Sequence, residues 1–141
     1  MNSKQKLLTA TAITGTVVSA SAFTLFDYAI CRRKKQPDVR KKEKWKPYLD
    51  YVLKEQEWLK EHQEQELKEI KSKDGLTLRA AYTPREDAKG TIICMHGYHS
   101  TNNIEFVPEV RFLWNLGYNV LLPWQRSHGK SEGRYITYGV K

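Results

Sequence analysis

The side chains best suited to chemistry in this chain gather in two short stretches. His96 and His99 follow an apolar run, and Arg126, Ser127 and His128 precede Gly129-Lys130-Ser131-Glu132-Gly133. Two histidines three residues apart on a turn, with no carboxylate or cysteine cluster nearby, are a poor start for a metal centre, and none is expected. Gly129-Lys130-Ser131 has the ending of a phosphate-binding loop, but Trp124 occupies the position five before Gly129 where that loop needs a glycine. Ser100, Ser127 and Ser131 each lie near a histidine, yet none follows a strand-to-helix elbow, so they read as turn and loop formers. Arg126 has two open readings, a contact to a substrate carboxylate or a structural ion pair. Cys31 and Cys94 have no spacing that suggests a disulfide framework or a zinc site.

Alternating segments position these residues. Leu67–Ser72 and Leu76–Tyr82 alternate across Lys73-Asp74-Gly75, the pattern of a β-hairpin whose glycine accepts the positive φ of a tight turn. Gly90–Met95 is short, apolar and β-branched, the pattern of a strand covered on both faces of a mostly parallel sheet, and it ends on His96-Gly97-Tyr98. Glu105–Leu116 predicts a helix with Phe106, Val110, Leu113 and Trp114 on one side, Pro108 in its first turn, and Gly117 as its stop. Tyr118–Pro123 is the next buried strand. Strand, helix and strand of these lengths make one right-handed crossover of an α/β sheet, with its loops gathered beyond the carboxyl ends of the strands.

The amino-terminal half has a different character. Leu7–Phe26 runs twenty residues without a charge, about 30 Å of helix, enough to cross a bilayer. Thr9, Thr11, Thr14, Thr16, Ser19 and Ser21 dilute it. Two fates are open: an uncleaved single-pass anchor in the cell membrane, favoured because apolar residues continue to Ile30, or secretion after signal-peptide cleavage near Ala22. The net charge of +8 is concentrated here, since residues 1–50 hold eleven Lys and Arg against four acids, while residues 51–141 hold thirteen against twelve. The near-neutral remainder gives no electrostatic reason to expect nucleic acid as a partner. Arg32-Arg33-Lys34-Lys35 outweighs Lys4 and Lys6, which would leave the carboxyl-terminal part in the cytoplasm. Residues 7–35 are expected to contact membrane lipid.

From Tyr48 to Glu66 the chain is rich in Glu, Gln, Lys and Leu and reads as a helix. Leu49, Val52, Leu53 and Leu59 give it an apolar stripe that fails at His62, Gln63 and Gln65, which favours a docking helix over a dimerising coiled coil. Oligomeric state is not legible. The organisation expected is a membrane anchor or signal segment over 1–31, a basic juxtamembrane stalk and amphipathic helix over 32–65, and a globular part over 66–141.

The globular part resembles the α/β-hydrolase family, in particular its bacterial esterase-like and serine-peptidase-like members. The matching residues are Lys73-Asp74-Gly75-Leu76, the apolar strand ending in His96-Gly97-Tyr98, the Leu116-Gly117-Tyr118-Asn119-Val120 helix exit, and the loop from Arg126 to Gly133. They cover about half the chain. Trp124 departs from the pattern, standing where such loops usually begin with aspartate. The resemblance implies an α/β fold: an incomplete α/β-hydrolase sheet, made of a β-hairpin and one β-α-β crossover, preceded by a transmembrane helix and an amphipathic helix. It implies hydrolysis of an ester, thioester or amide in a small-molecule or peptide acyl substrate, through an acyl-enzyme and without a cofactor.

Site residues carried over from the resemblance are the backbone N–H of Tyr98 as an oxyanion-hole donor, His96 and Gly97 as supports of its loop, and Arg126 and His128 as loop or substrate contacts. Trp114, Tyr118 and Trp124 read either as an acyl pocket or, more frequently for such residues, as core. The one Gly-x-Ser-x-Gly spacing, Gly129-Lys130-Ser131-Glu132-Gly133, falls in a loop and not on a strand-to-helix elbow, so Ser131 is not read as the nucleophile, no member of a catalytic triad is expected here, and 66–141 reads as the amino-terminal part of a truncated domain. The rival expectation is a non-catalytic, membrane-anchored adaptor.

Overall fold

The structure, a computed structural model, describes residues 2–32, 43–62, 65–98 and 100–137. They fall into two compact units, one built on the first helix and the other within Arg32–Ile136.

The first unit is α1, Ser3–Ile30. Asn2 caps it: its side chain accepts from the Gln5 N–H while the Gln5 side chain accepts from the Asn2 N–H. The threonines that dilute the apolar run turn their hydroxyls inward. Those of Thr9, Thr11, Thr14 and Thr16 donate to the carbonyls of Gln5, Leu7, Ala10 and Ala12 at 2.8–3.0 Å. Their polarity is thereby satisfied within the helix, which is long and apolar enough to be a membrane anchor or a signal sequence.

The second unit is mixed α/β. Its elements are α2 (Lys46–His62) after a 3₁₀ turn at Glu43–Trp45, β1 (Glu66–Lys71), β2 (Thr77–Thr83), β3 (Thr91–Ile93), α3 (Asn102–Glu105), α4 (Val107–Asn115) and β4 (Asn119–Trp124). The strands form one sheet in the order β1-β2-β4-β3. The hairpin pairs Glu66 with Tyr82 through Lys71 with Thr77, turning at Gly75 with φ 84°. β3 and β4 are parallel, with Thr91 opposite Asn119 and Ile93 opposite Leu121, so the chain through α3 and α4 is the crossover that the sequence predicts.

Three expectations change. Glu66 begins β1, so the predicted helix ends by His62. The helix predicted over Glu105–Leu116 is α4, Val107–Asn115, and a separate short helix, α3, ends just before it at Glu105. The two do not join through Phe106 (φ −120°), because Pro108 lacks the N–H that would bond the carbonyl four residues back and its ring crowds that carbonyl. The strand predicted to be covered on both faces is covered on one: Ile93 and Met95 are more than half exposed. The core lies on the face of Ala81, Val120, Leu122 and Trp124, where Val107 and Val110 of α4 and Leu59 of α2 pack. Composition says a strand can be buried; only a second layer buries it.

α2 docks on α4. Leu49, Val52 and Leu59 are buried, whereas Leu53 is 51% exposed and Glu55 takes the next place on the buried stripe. Glu55 Oε1 lies 3.7 Å from the Arg111 guanidinium, which itself stacks over Trp58. Trp58 meets Trp114 edge-on at 6.2 Å, and Arg85 covers the Trp114 ring at 4.5 Å.

Candidate functional site

Because β3 and β4 run parallel, the loops leaving their carboxyl ends emerge side by side. The first begins at Cys94, whose N–H still bonds the Leu121 carbonyl at 3.0 Å. The second begins at Gln125. His96, 2% exposed, stitches them together. Its Nε2 accepts the Gln125 N–H at 3.2 Å, which places the ring proton on Nδ1, 3.0 Å from the Gly97 carbonyl it then donates to. The Gln125 side-chain amide donates back to the His96 carbonyl. With both nitrogens engaged, the imidazole is a brace.

The His128 ring meets His96 edge-to-face at 4.7 Å, and its Nδ1 lies 2.9 Å from the Arg126 carbonyl. His128 is buried and close to the first loop. Gly97 donates its N–H to Glu105 Oε2 at 2.6 Å, and the Ser100 N–H returns to the Gly97 carbonyl at 3.2 Å. Tyr98 sits on the resulting turn with its side chain half exposed. His99, the other half of the rejected metal pair, lies outside the described residues. Among the described residues there is no group of three or more His, Cys, Asp or Glu that could hold a metal ion.

The second loop is held by its polar side chains. Ser127 adopts a left-handed φ of 64° and donates its hydroxyl to the Tyr135 carbonyl at 2.6 Å. Ser131, 1% exposed, donates to the Trp124 carbonyl and accepts the Arg79 N–H at 2.8 Å. The Glu132 carboxylate accepts the Thr77 N–H at 2.7 Å, and that bond holds its pKa below the usual glutamate range. Arg32 donates to the Ser131 and Gly129 carbonyls at 2.9 and 2.5 Å. Ser127 and Ser131 thus act as the turn and loop formers their context implies.

Arg126 makes a two-pronged ion pair with Asp74 in the β1–β2 turn, at 2.6 and 2.7 Å. That hydrogen bond raises its pKa further. Lys130 lies over the Trp124 ring at 5.0 Å. Two of the three aromatic residues weighed as a pocket are built into the body: Trp124 is in the core, and Trp114 donates its indole N–H to the Pro84 carbonyl at 2.9 Å, while Tyr118 is partly buried with Lys89 over its ring. Burial, and then Glu109, pushes the Cys94 thiol pKa up, so this cysteine stays protonated and inert.

Sequence reasoning missed Glu105, Gln125 and Tyr48, each of which contacts the first loop or the short helix behind it. One signal was available. Pro108 leaves the carbonyl of Ile104 without its helical donor, and a tyrosine hydroxyl from α2 supplies one.

No family model and no curated protein matches the chain. Among solved structures it is similar to the Pyrococcus furiosus esterase Pf2001. In one crystal form of that esterase the identity is 34%, covering 58% of this chain and 33% of the esterase, with a TM-score of 0.51. In another the identity is also 34%, covering 57% and 31%, with a TM-score of 0.49. A structure of DcsB in complex with its substrate analogue is 21% identical, covering 50% of this chain and 24% of that one, with a TM-score of 0.46. The chain therefore spans about a third of the esterase's length, and its mixed α/β unit is esterase-like in fold.

Proposed function

We propose that residues 66–137 form the oxyanion-binding side of a serine α/β-hydrolase that cleaves an ester, thioester or amide through an acyl-enzyme. The observation that carries this reading is the 34% identity to an esterase over 58% of the chain. The stitched loops at the carboxyl ends of β3 and β4 are where an α/β sheet places a ligand.

In this reading a serine supplied outside these residues gives its proton to the triad histidine as its oxygen attacks the substrate carbonyl carbon, and the carbonyl π electrons move onto oxygen. The Tyr98 N–H donates to that oxygen, and a second amide beside the serine completes the hole. Collapse of the tetrahedral adduct expels the alcohol, thiol or amine, protonated by the triad histidine, and water then releases the acyl group by the same route. His96 and Gly97 hold the loop, His128 backs it, and Arg126 shapes the second loop through Asp74. The Tyr98 side chain, exposed beside its own amide, contributes to substrate fit. α1 serves as a single-pass anchor, with residues 7–35 against lipid.

The test extends the reading frame beyond Lys141 until a Gly-x-Ser-x-Gly on a strand-to-helix elbow is included, unlike the buried loop serine Ser131, and exposes both polypeptides to a fluorophosphonate probe. The extended protein is expected to label and the 141-residue chain to remain unlabelled. Labelling of the short chain, or an extended protein that resists the probe, overturns the reading.

A further inference from the structure

An amide stabilises a developing negative charge only if it is aimed before that charge appears. Tyr98 lies on a loop, so something outside the loop must aim it. The first link is Glu105. Its Oε2 accepts the Gly97 N–H at 2.6 Å, and a Cβ added to Gly97 would lie 3.3 Å from its Oε1. A carboxylate acceptor makes this about twice as strong as a bond between neutral groups.

Glu105 is the last residue of α3, and α3 ends where it does because of Pro108. The Ile104 carbonyl, denied the proline N–H, accepts the hydroxyl of Tyr48 at 2.5 Å. Tyr48 belongs to the first turns of α2, beside Trp45 at 6.3 Å edge-on and just ahead of buried Leu49 and Val52. Burial, and then the charges of Glu109 and Glu105, raises the Tyr48 pKa, so the phenol keeps its proton through the physiological range. A continuous path of two hydrogen bonds and one short helix runs from α2 to the backbone immediately before Tyr98.

We infer that α2 sets the loop: Tyr48 and Glu105 are positioning residues through which the docking of α2 fixes Gly97 and thereby the direction of the Tyr98 N–H. The meaning of that direction for catalysis rests on the hydrolase reading; the mechanical coupling does not. Whatever displaces α2 from α4 releases the loop.

The test measures amide hydrogen exchange by NMR on the full chain in detergent micelles, reading Gly97 and using Ala81 and Leu122 as reporters of the sheet. Glu105→Ala is expected to speed Gly97 exchange about tenfold, and Glu105→Gln, which keeps a carbonyl acceptor, to restore it to within about threefold of the parent. Tyr48→Phe removes only an oxygen that touches neither Gly97 nor its acceptor, yet it is expected to speed Gly97 exchange about threefold with Ala81 and Leu122 unchanged. Leu53→Ala, on the exposed face of the same helix, is expected to change none of the three. Unchanged Gly97 exchange in Tyr48→Phe overturns the inference, as does equal acceleration at Ala81 and Leu122, which marks a general loss of stability. Fluorophosphonate labelling of the extended polypeptide is read separately. If the parent fails to label while the exchange pattern holds, the hydrolase reading falls and the coupling stands; if the parent labels and the Tyr48→Phe pattern is absent, the reverse is true.

Discussion

A Cβ added to Gly129 would sit 2.0 Å from Cδ1 of the Trp124 indole, far inside van der Waals contact. Gly129 also has φ 47°, a left-handed value that a side chain disfavours. The loop therefore closes over the indole only because position 129 carries no side chain. Gly129→Ala is expected to cost about 1–3 kcal/mol of stability by overpacking. In a Trp124→Ala background the clash is gone, and the same change should cost only about 1 kcal/mol, from backbone strain. Denaturant midpoints of the four proteins in this cycle provide the measurement; equal costs in both backgrounds would show that the indole is not what excludes the methyl group.

The docking of α2 makes a second contrast measurable. Leu59 and Leu53 lie six residues apart on one helix, but Leu59 joins the core with Val110 and Leu122 while Leu53 faces solvent. Leu59→Ala is expected to destabilise by about 2–5 kcal/mol, and Leu53→Ala to stay within about 0.5 kcal/mol of the parent. Similar losses at both sites would remove α2 from the body of the fold.

Glu132 supplies a pH dependence. Its carboxylate accepts the Thr77 N–H, so its folded pKa is depressed relative to the unfolded chain. The charged form is the one the fold favours; the contribution is complete above the ordinary glutamate range and disappears as pH falls through the depressed value. Melting temperature followed downward through the acid range should therefore decline less steeply in Glu132→Gln than in the parent. Superimposable profiles would show that the bond from Thr77 contributes nothing to acid stability.

The Arg126–Asp74 pair ties the second loop to the hairpin turn, but both side chains retain contact with solvent. A double-mutant cycle with Arg126→Gln and Asp74→Asn should give a coupling of about 0.2–1 kcal/mol that shrinks with added salt. A coupling of zero at low salt would free Arg126 for the alternative role of holding a substrate carboxylate.

Much of the frame was readable from local pattern. The Asp74-Gly75 turn, the β-branched run at Thr91–Ile93 and the crossover into Asn119–Trp124 depend on backbone preferences and periodicity that neighbouring residues express by themselves. The stripe on α2 was only partly readable. Spacing proposed Leu53 for the buried face, whereas the helix turns Glu55 inward, 3.7 Å from the Arg111 guanidinium on α4.

What the linear order of residues determined was the element types, their succession, and the turns where glycine or proline leaves few backbone options. Tertiary structure alone decided which groups meet: Glu105 with Gly97, Tyr48 with the carbonyl stranded by Pro108, Arg126 with Asp74, and Trp124 beneath Gly129. The physical reason is range. Helix and turn propensities act over a few neighbouring residues, whereas a hydrogen bond such as that from Tyr48 to Ile104 closes a separation of 56 residues. Such a bond exists only after the hydrophobic core has brought its partners together.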